Sequence, residues 1–306
     1  MKVSRQLFLK GISILLLFAV PLQNTAEEEL HQGDSREISG DDGIILEGEN
    51  PDIQFSHQFD LLNQFKNELM PHIENHTDLY FVGFGSDSGQ DVFMKEIIYI
   101  KDLMDNEFGT KGRSIALVNN QKTTETLPIA SPTNLMLALN YIGEVINTEE
   151  DILLLYLTTH GSRDHVLLVD MPPLYLEGIT PDLLGQFLDD AKIKYRILLV
   201  SACFSGGFLE PLKNENTLIF TAAAHDRPSF GCSHASEFTY FGQAVFAEGL
   251  SRQKDFIKTF KEAIERISRR EEAEELRPSL PQLYIGEKME EKLRLLAGQQ
   301  EYLTAD

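Results

Sequence analysis

An α/β domain with a mainly parallel central sheet and helices on both faces is predicted by three observations. First, four apolar runs of strand length, 79–84, 152–157, 197–200 and 218–223, carry almost no polar interruption, as strands buried on both faces do. Second, the segments between them place apolar residues at helical spacing, and strands alternating with helices specify a parallel sheet. Third, two of the runs stop abruptly on a chemically reactive side chain followed by glycine: Thr158-Thr159-His160-Gly161 and Ser201-Ala202-Cys203-Phe204-Ser205-Gly206-Gly207. The carboxyl ends of parallel strands are where open sheets carry their ligands.

In chain order, Lys2, Arg5 and Lys10 precede the apolar run Ile12 to Leu22, and Asn24-Thr25-Ala26 precedes Glu27. That is the pattern of a secretory signal over residues 1–26. Its apolar core is shorter than the ~20 residues that span a bilayer. Cleavage and export, to a periplasm or out of the cell, are therefore expected, with no stable membrane span after the cut; an uncut N-terminal anchor is the alternative. Residues 27–56 are acidic and poor in aromatics, a composition that buries too little apolar surface to order itself. A flexible leader is expected there, with an inhibitory pro-segment as the sharper alternative. Residues 57–306 then fit one domain.

Phe59, Leu62, Phe65, Leu69 and Ile73 predict a first helix over 57–75. A strand at 79–84 follows and opens into the polar loop Gly85-Ser86-Asp87-Ser88-Gly89, expected to be flexible. Next come a helix from Gln90 to Phe108 closed by Gly109, a strand at 114–118, and a helix from Asn134 to Ile146 after Pro132. Beyond the histidine strand, Thr180 caps a helix from Pro181 to Ala191. After the cysteine strand and the run at 218–223, helices are expected at 241–251 and 256–276. A proline-bounded strand at 282–285 and an amphipathic piece at 287–296 complete the chain.

Composition narrows the function. A formal net charge of −21 repels phosphate backbones and anionic lipid, so nucleic acid is not an expected partner. Two cysteines without a Cys-x-x-Cys give no structural zinc site, and Gly83-Phe84-Gly85-Ser86 lacks the residues of a phosphate loop. No metal or other cofactor is expected. What remains is a histidine and a cysteine projecting from one sheet edge. A free thiol has a pKa of about 8.5, which a neighbouring imidazole can lower to roughly 3.5–7.5, giving a thiolate nucleophile. Two bland readings stand beside this for Cys203: a small buried apolar residue, and a Cys203–Cys232 disulfide in an oxidising compartment. His165, five residues after His160, is the rival base.

Thr159-His160-Gly161-Ser162 and Ser201-Ala202-Cys203-Phe204-Ser205-Gly206 resemble the His-Gly and Ala-Cys-x-Ser-Gly motifs of the legumain family of cysteine peptidases, which has a caspase-like fold. Thr221-Ala222-Ala223-Ala224, Ser229-Phe230-Gly231-Cys232 and Thr239-Tyr240-Phe241-Gly242 are similar to further family blocks in the same order. The resemblance runs from about Leu79 to about Ile285, and is closest to the exported bacterial branch. His160 also precedes Cys203 by 43 residues, near the separation of about 50 in caspase-like enzymes.

The resemblance implies a cysteine endopeptidase acting on peptide or protein substrates, with transpeptidation open to it; a catalytically silent protein-binding module closed by a Cys203–Cys232 disulfide is the alternative. It makes Cys203 the nucleophile and His160 the base, with the amides of Gly161 and Cys203 holding the oxyanion. Asp87 matches the family's histidine-orienting asparagine, against the plain reading of a turn-capping aspartate. The family's arginine, glutamate and aspartate for the residue before the cut correspond to Met94-Lys95-Glu96, Ser201 and Gln243, so cleavage after asparagine does not carry over. Lys95 could receive an acidic side chain, with Ser201, Ser229, Gln243 and Glu96 as polar lining, while His225-Asp226-Arg227 supplies a supporting salt link, with a substrate contact as the alternative reading. Oligomeric state is not implied.

Overall fold

The computed structural model describes residues 55–303. The expected signal segment and all of the leader before Phe55 lie outside the described residues. Within them, six strands form one sheet: β1 (Leu79–Gly85), β2 (Ser114–Val118), β3 (Ile152–Thr158), β4 (Tyr195–Ser201), β5 (Thr217–Thr221) and β6 (Gln282–Ile285). Their spatial order is β2-β1-β3-β4-β5-β6. The first five are parallel, and β6 closes one edge antiparallel to β5. This is the α/β architecture expected from the runs of apolar residues.

The helices are α1 (Gln58–Glu68), α2 (Asp91–Glu107), α3 (Pro132–Val145), α4 (Pro181–Asp190), the short α5 (Leu209–Leu212), α6 (Tyr240–Gly242), α7 (Phe256–Ala273) and α8 (Glu287–Leu303). Side chains alternate between the faces of a strand, so two cores form. Tyr80, Val82, Phe84, Leu155, Leu157, Leu198 and Val200 face α3 and α4 through Leu135, Leu139, Leu184 and Leu188. Phe81, Leu154, Tyr156, Leu199 and Phe220 face Ile97 and Ile100 of α2, Phe260 and Ile267 of α7, and Met289 and Leu293 of α8. Each such buried side chain contributes roughly 1.5–3 kcal/mol. Among the described residues no helix is long and apolar enough to cross a membrane.

Three expectations need correction. The first helix ends at Glu68, with Leu69 already extended. Pro71 keeps the residue before it out of helical geometry, so Ile73 falls outside the helix and, like Phe59, is exposed. The polar loop after β1 is not a loose one. Ser86 and Asp87 are buried because Asp170 runs beside them: the Asp170 amide donates to the Ser86 carbonyl (2.8 Å) and the Ser88 amide to the Asp170 carbonyl (3.1 Å). The helix expected at 241–251 is a short α6 that widens into a π-helical segment, Gln243–Leu250. The caps came out as read: Thr180 Oγ1 accepts from the Leu183 amide and Gly109 closes α2 at φ +72°.

At the amino ends of β1 and β3, Asp78 and Asp151 are buried and tied off. Asp151 accepts from the Asp78 and Asn147 amides and from His72, and Asp78 from the Ile73 amide while facing Arg113. Burial together with Asp151 pushes the Tyr80 hydroxyl up to about 12. This knot holds the sheet at the edge away from the reactive residues.

Candidate active site

The chain leaves β2, passes over β1 and re-enters the sheet as β3, so the strand order reverses between β1 and β3. Crevices form at the carboxyl ends of strands at such a reversal. Asp87 follows β1, His160 follows β3 and Cys203 follows β4. Thr158 pairs with Ser201 in the β3–β4 register, and both His160 and Cys203 stand two residues beyond that pair. The ladder continues past the strands through the Thr159 amide, which donates to the Ser201 carbonyl at 3.2 Å. The two segments then touch: a Cβ on Gly161 would overlap the Cys203 carbonyl oxygen. Gly161→Ala is accordingly expected to force the two strand ends apart and cost about 1–3 kcal/mol, read by denaturant unfolding.

Cys203 opens a tight turn. Phe204 adopts the left-handed conformation at φ +57°, unusual for a side chain of that size. Its amide donates to the Arg227 carbonyl (2.8 Å), and its carbonyl accepts from the Gly207 amide (3.2 Å). A single 3₁₀ turn, Ser205–Phe208, follows and leads into the short helix α5, neither of which the sequence pattern announced. The Cys203 sulfur is half-buried and receives the Ser229 amide at 3.3 Å, with the Ser229 hydroxyl at 3.8 Å. Cys203 and Cys232 are both free thiols; burial pushes the Cys232 thiol up, and Cys203 adds to that.

His160 is half-buried, packed edge-on against Phe93 of α2 with ring centroids 5.3 Å apart, and its carbonyl accepts from the Leu168 amide. Asp87 is 5 % exposed. Burial pushes its carboxyl up, the nearby His160 pulls it down, and Asp170 pushes it up again. His165 stands elsewhere. Its Nδ1 lies 3.0 Å from the Phe204 carbonyl, so it buttresses the nucleophile's turn from the other side.

Residues proposed to line a specificity pocket scatter. Ser229 touches the sulfur itself. Lys95 reaches Glu237 Oε1 at 2.8 Å and the Ser236 carbonyl at 3.4 Å, so its ammonium is engaged with the loop that carries Ser229 rather than open to an acidic substrate. Ser201 is 2 % exposed and its hydroxyl meets Thr239 Oγ1 at 3.1 Å, because its place in the register points it into the core on the α2 side. Gln243, the first residue of the π-helical segment, is held between Glu248 (2.7 Å) and Arg270 of α7 (2.7 Å). The Asp226 carboxylate faces Arg227 at 3.4 Å, the salt link expected of that loop.

Glu96 is fully buried. Its Oε2 accepts from Tyr156 and Thr158 hydroxyls, each at 2.8 Å, and its Oε1 from the Thr239 amide (2.6 Å) and hydroxyl (2.8 Å). One carboxylate thus ties α2 to β3 and to the end of the loop 229–240. Burial pushes its carboxyl up, against the pull of those donors.

Comparison with curated proteins finds no match. Among solved structures, the caspase-1 of Spodoptera frugiperda is similar at 14 % identity and a TM-score of 0.49, over 71 % of this chain and 93 % of that one. The Peptidase C13 family matches residues 136–292, just over half of the chain and a span that holds His160, Cys203, Ser229 and Thr239. With the histidine and cysteine segments abutting at one sheet edge, the chain belongs to the Peptidase C13 family, the legumain family of cysteine peptidases.

Proposed function

We propose that this protein is a cysteine endopeptidase whose nucleophile is Cys203 and whose base is His160. The observation that carries the reading is the β3–β4 register, with imidazole and sulfur at equivalent positions past the Thr158–Ser201 pair. His160 takes the thiol proton, and the sulfur attacks the carbonyl carbon of a peptide bond. Gly161 suits the oxyanion role because the bonds of its bridge to Leu167 run from the Ser162 and Leu168 amides, which spares its own N–H. The Cys203 amide is the second donor; each such donor is typically worth about 2.7–4 kcal/mol. The C–N bond breaks as His160 returns its proton to the leaving amine, and water then hydrolyses the thioester, releasing the new carboxyl end and the thiol. An amine arriving in place of water would give transpeptidation through the same thioester.

A peptide probe with a thiol-reactive end group tests this. Labelling is expected at Cys203, located by mass spectrometry of the digested adduct; labelling confined to Cys232 would overturn the assignment. Asp87 serves as the residue that orients His160. Asp87→Ala is expected to lower kcat/KM on the order of 10²-fold, the usual cost of a base displaced by about 1 Å. Asp87→Asn, which keeps an acceptor in the same place, is expected to fall between the parent and alanine. Export follows from the charged, apolar and small-residue regions of the first 26 residues. Its check is the N-terminal sequence of the protein recovered from a secreting host, with Glu27 expected at or near the new terminus.

A further inference from the structure

We propose that a groove beside the nucleophile's turn is a second substrate subsite, one that takes an acidic side chain two or three residues from the scissile bond. The inference rests on the peptidase reading and names a preference for it. The groove has a volume of about 700 Å³ and is walled by His165, His225, Gly206, Gly207 and Gln282, with Glu210, its carboxylate paired to Lys213, also at the wall. Gly206 and Gly207 belong to the turn that follows Cys203. Phe208, the next residue, packs into the core shared with α3 and α4, whereas the loop 229–240 grips α2 through Lys95 and Glu96. A peptide lying across the sulfur therefore has that loop on one side and this groove on the other. Three residues of 3₁₀ turn rise about 6 Å, and an extended peptide advances about 3.3 Å per residue, which sets the reach at roughly two or three residues.

The two imidazoles are seated with care. A Cβ on Gly207 would overlap the His165 ring, and one on Gly206 would lie 2.5 Å from the His225 amide nitrogen. His165 holds φ +60°, a left-handed backbone conformation that persists only where surroundings impose it. Its Nδ1 is taken up by the Phe204 carbonyl, which leaves Nε2 as the ring's free nitrogen. The His225 ring lies 6.5 Å from the His165 ring and, among the described residues, makes no side-chain hydrogen bond.

The charges nearby favour an anion. Glu210 pairs with Lys213, and Asp226 stands between Arg227 (3.4 Å) and Arg277 (4.0 Å). Arg163 lies over the Phe204 ring at 5.6 Å, with Asp164 beside it in the sequence. Four fixed cations thus meet three carboxylates here, in a chain whose formal net charge is −21. Imidazole is the side chain that changes charge between pH 5 and 8. Protonation of His165 and His225 turns both rings into donors toward a carboxylate, and such charge-assisted bonds are among the stronger ones.

The experiment uses peptides that differ only by Glu or Gln at each position within three residues of the cut, assayed for kcat/KM at pH 5.5 and pH 8. At one position the Glu peptide is expected to lead by about tenfold at pH 5.5, the effect of one charged hydrogen bond, and the lead to shrink at pH 8. His225→Gln should abolish the lead, bringing the Glu peptide down to the level of the Gln peptide. Equal use of Glu and Gln at every position, or a His225→Gln variant that slows both alike, would overturn the subsite. The same peptide pair titrated calorimetrically into Cys203→Ala protein, with and without His225→Gln, reads the groove without turnover. Absent probe labelling at Cys203 marks failure of the peptidase reading separately.

Discussion

Cys203→Ala is expected to lower kcat for any peptide substrate by about 10⁴-fold or more while the protein stays folded. The size follows from the role: without the sulfur no thioester forms, and only binding and the oxyanion donors remain, which leaves a small residue of catalysis. Folding should survive because the side chain is half-buried and, among the described residues, its hydrogen bonds are to Ser229. His160→Ala should cost a similar factor, and the double replacement little more than either single one, since nucleophile and base act as a unit. Steady-state kinetics on the four proteins, with unfolding curves as the control for folding, test this. Full activity in Cys203→Ala would move the chemistry to another residue.

Glu96→Ala is expected to have the largest effect on stability among single side chains around the site, about 3–5 kcal/mol. It deprives the Thr239 amide and the Tyr156 and Thr158 hydroxyls of their acceptor at a fully buried position. It also cuts the tie between α2 and the loop that brings Ser229 to the sulfur, so labelling at Cys203 should slow as well. Glu96→Gln is the informative companion. Its carbonyl can accept from the Thr239 amide, while the two hydroxyls turn to accept from its NH₂. Burial raises the folded-state pKa of Glu96, so its stabilising contribution is complete below the ordinary carboxylate range and is lost as pH rises through the raised value. The stability difference between the glutamine variant and the parent should therefore shift in favour of glutamine as pH rises from the ordinary carboxylate range, read by denaturant unfolding at a series of pH values.

The sheet and the positions of its two reactive ends were legible because buried parallel strands announce themselves as unbroken apolar runs, and a His-Gly or Cys-x-Ser-Gly-Gly ending breaks the run visibly. What escaped was side-chain destination. Glu96 reads as polar lining of a substrate pocket; nothing local reveals that Tyr156, Thr158 and Thr239 converge on it. Ser86 and Asp87 read as loop because their partner, Asp170, is more than 80 residues on. Lys95 and Gln243 were sought by correspondence with a family pattern, and each found a nearer ionic or amide partner first. Pro71 marks the end of the first helix, since the residue before a proline leaves helical geometry, although the apolar spacing runs on to Ile73.

The strand order has one more consequence. Residues 87, 160, 203 and 229 come together only when β1 has found β3 across the whole of the intervening chain and β4 has docked beside it, contacts of long sequence separation that form late and slowly. A nascent or half-assembled chain therefore carries the thiol without its neighbours. Assembly of these four positions is thus tied to completion of the sheet.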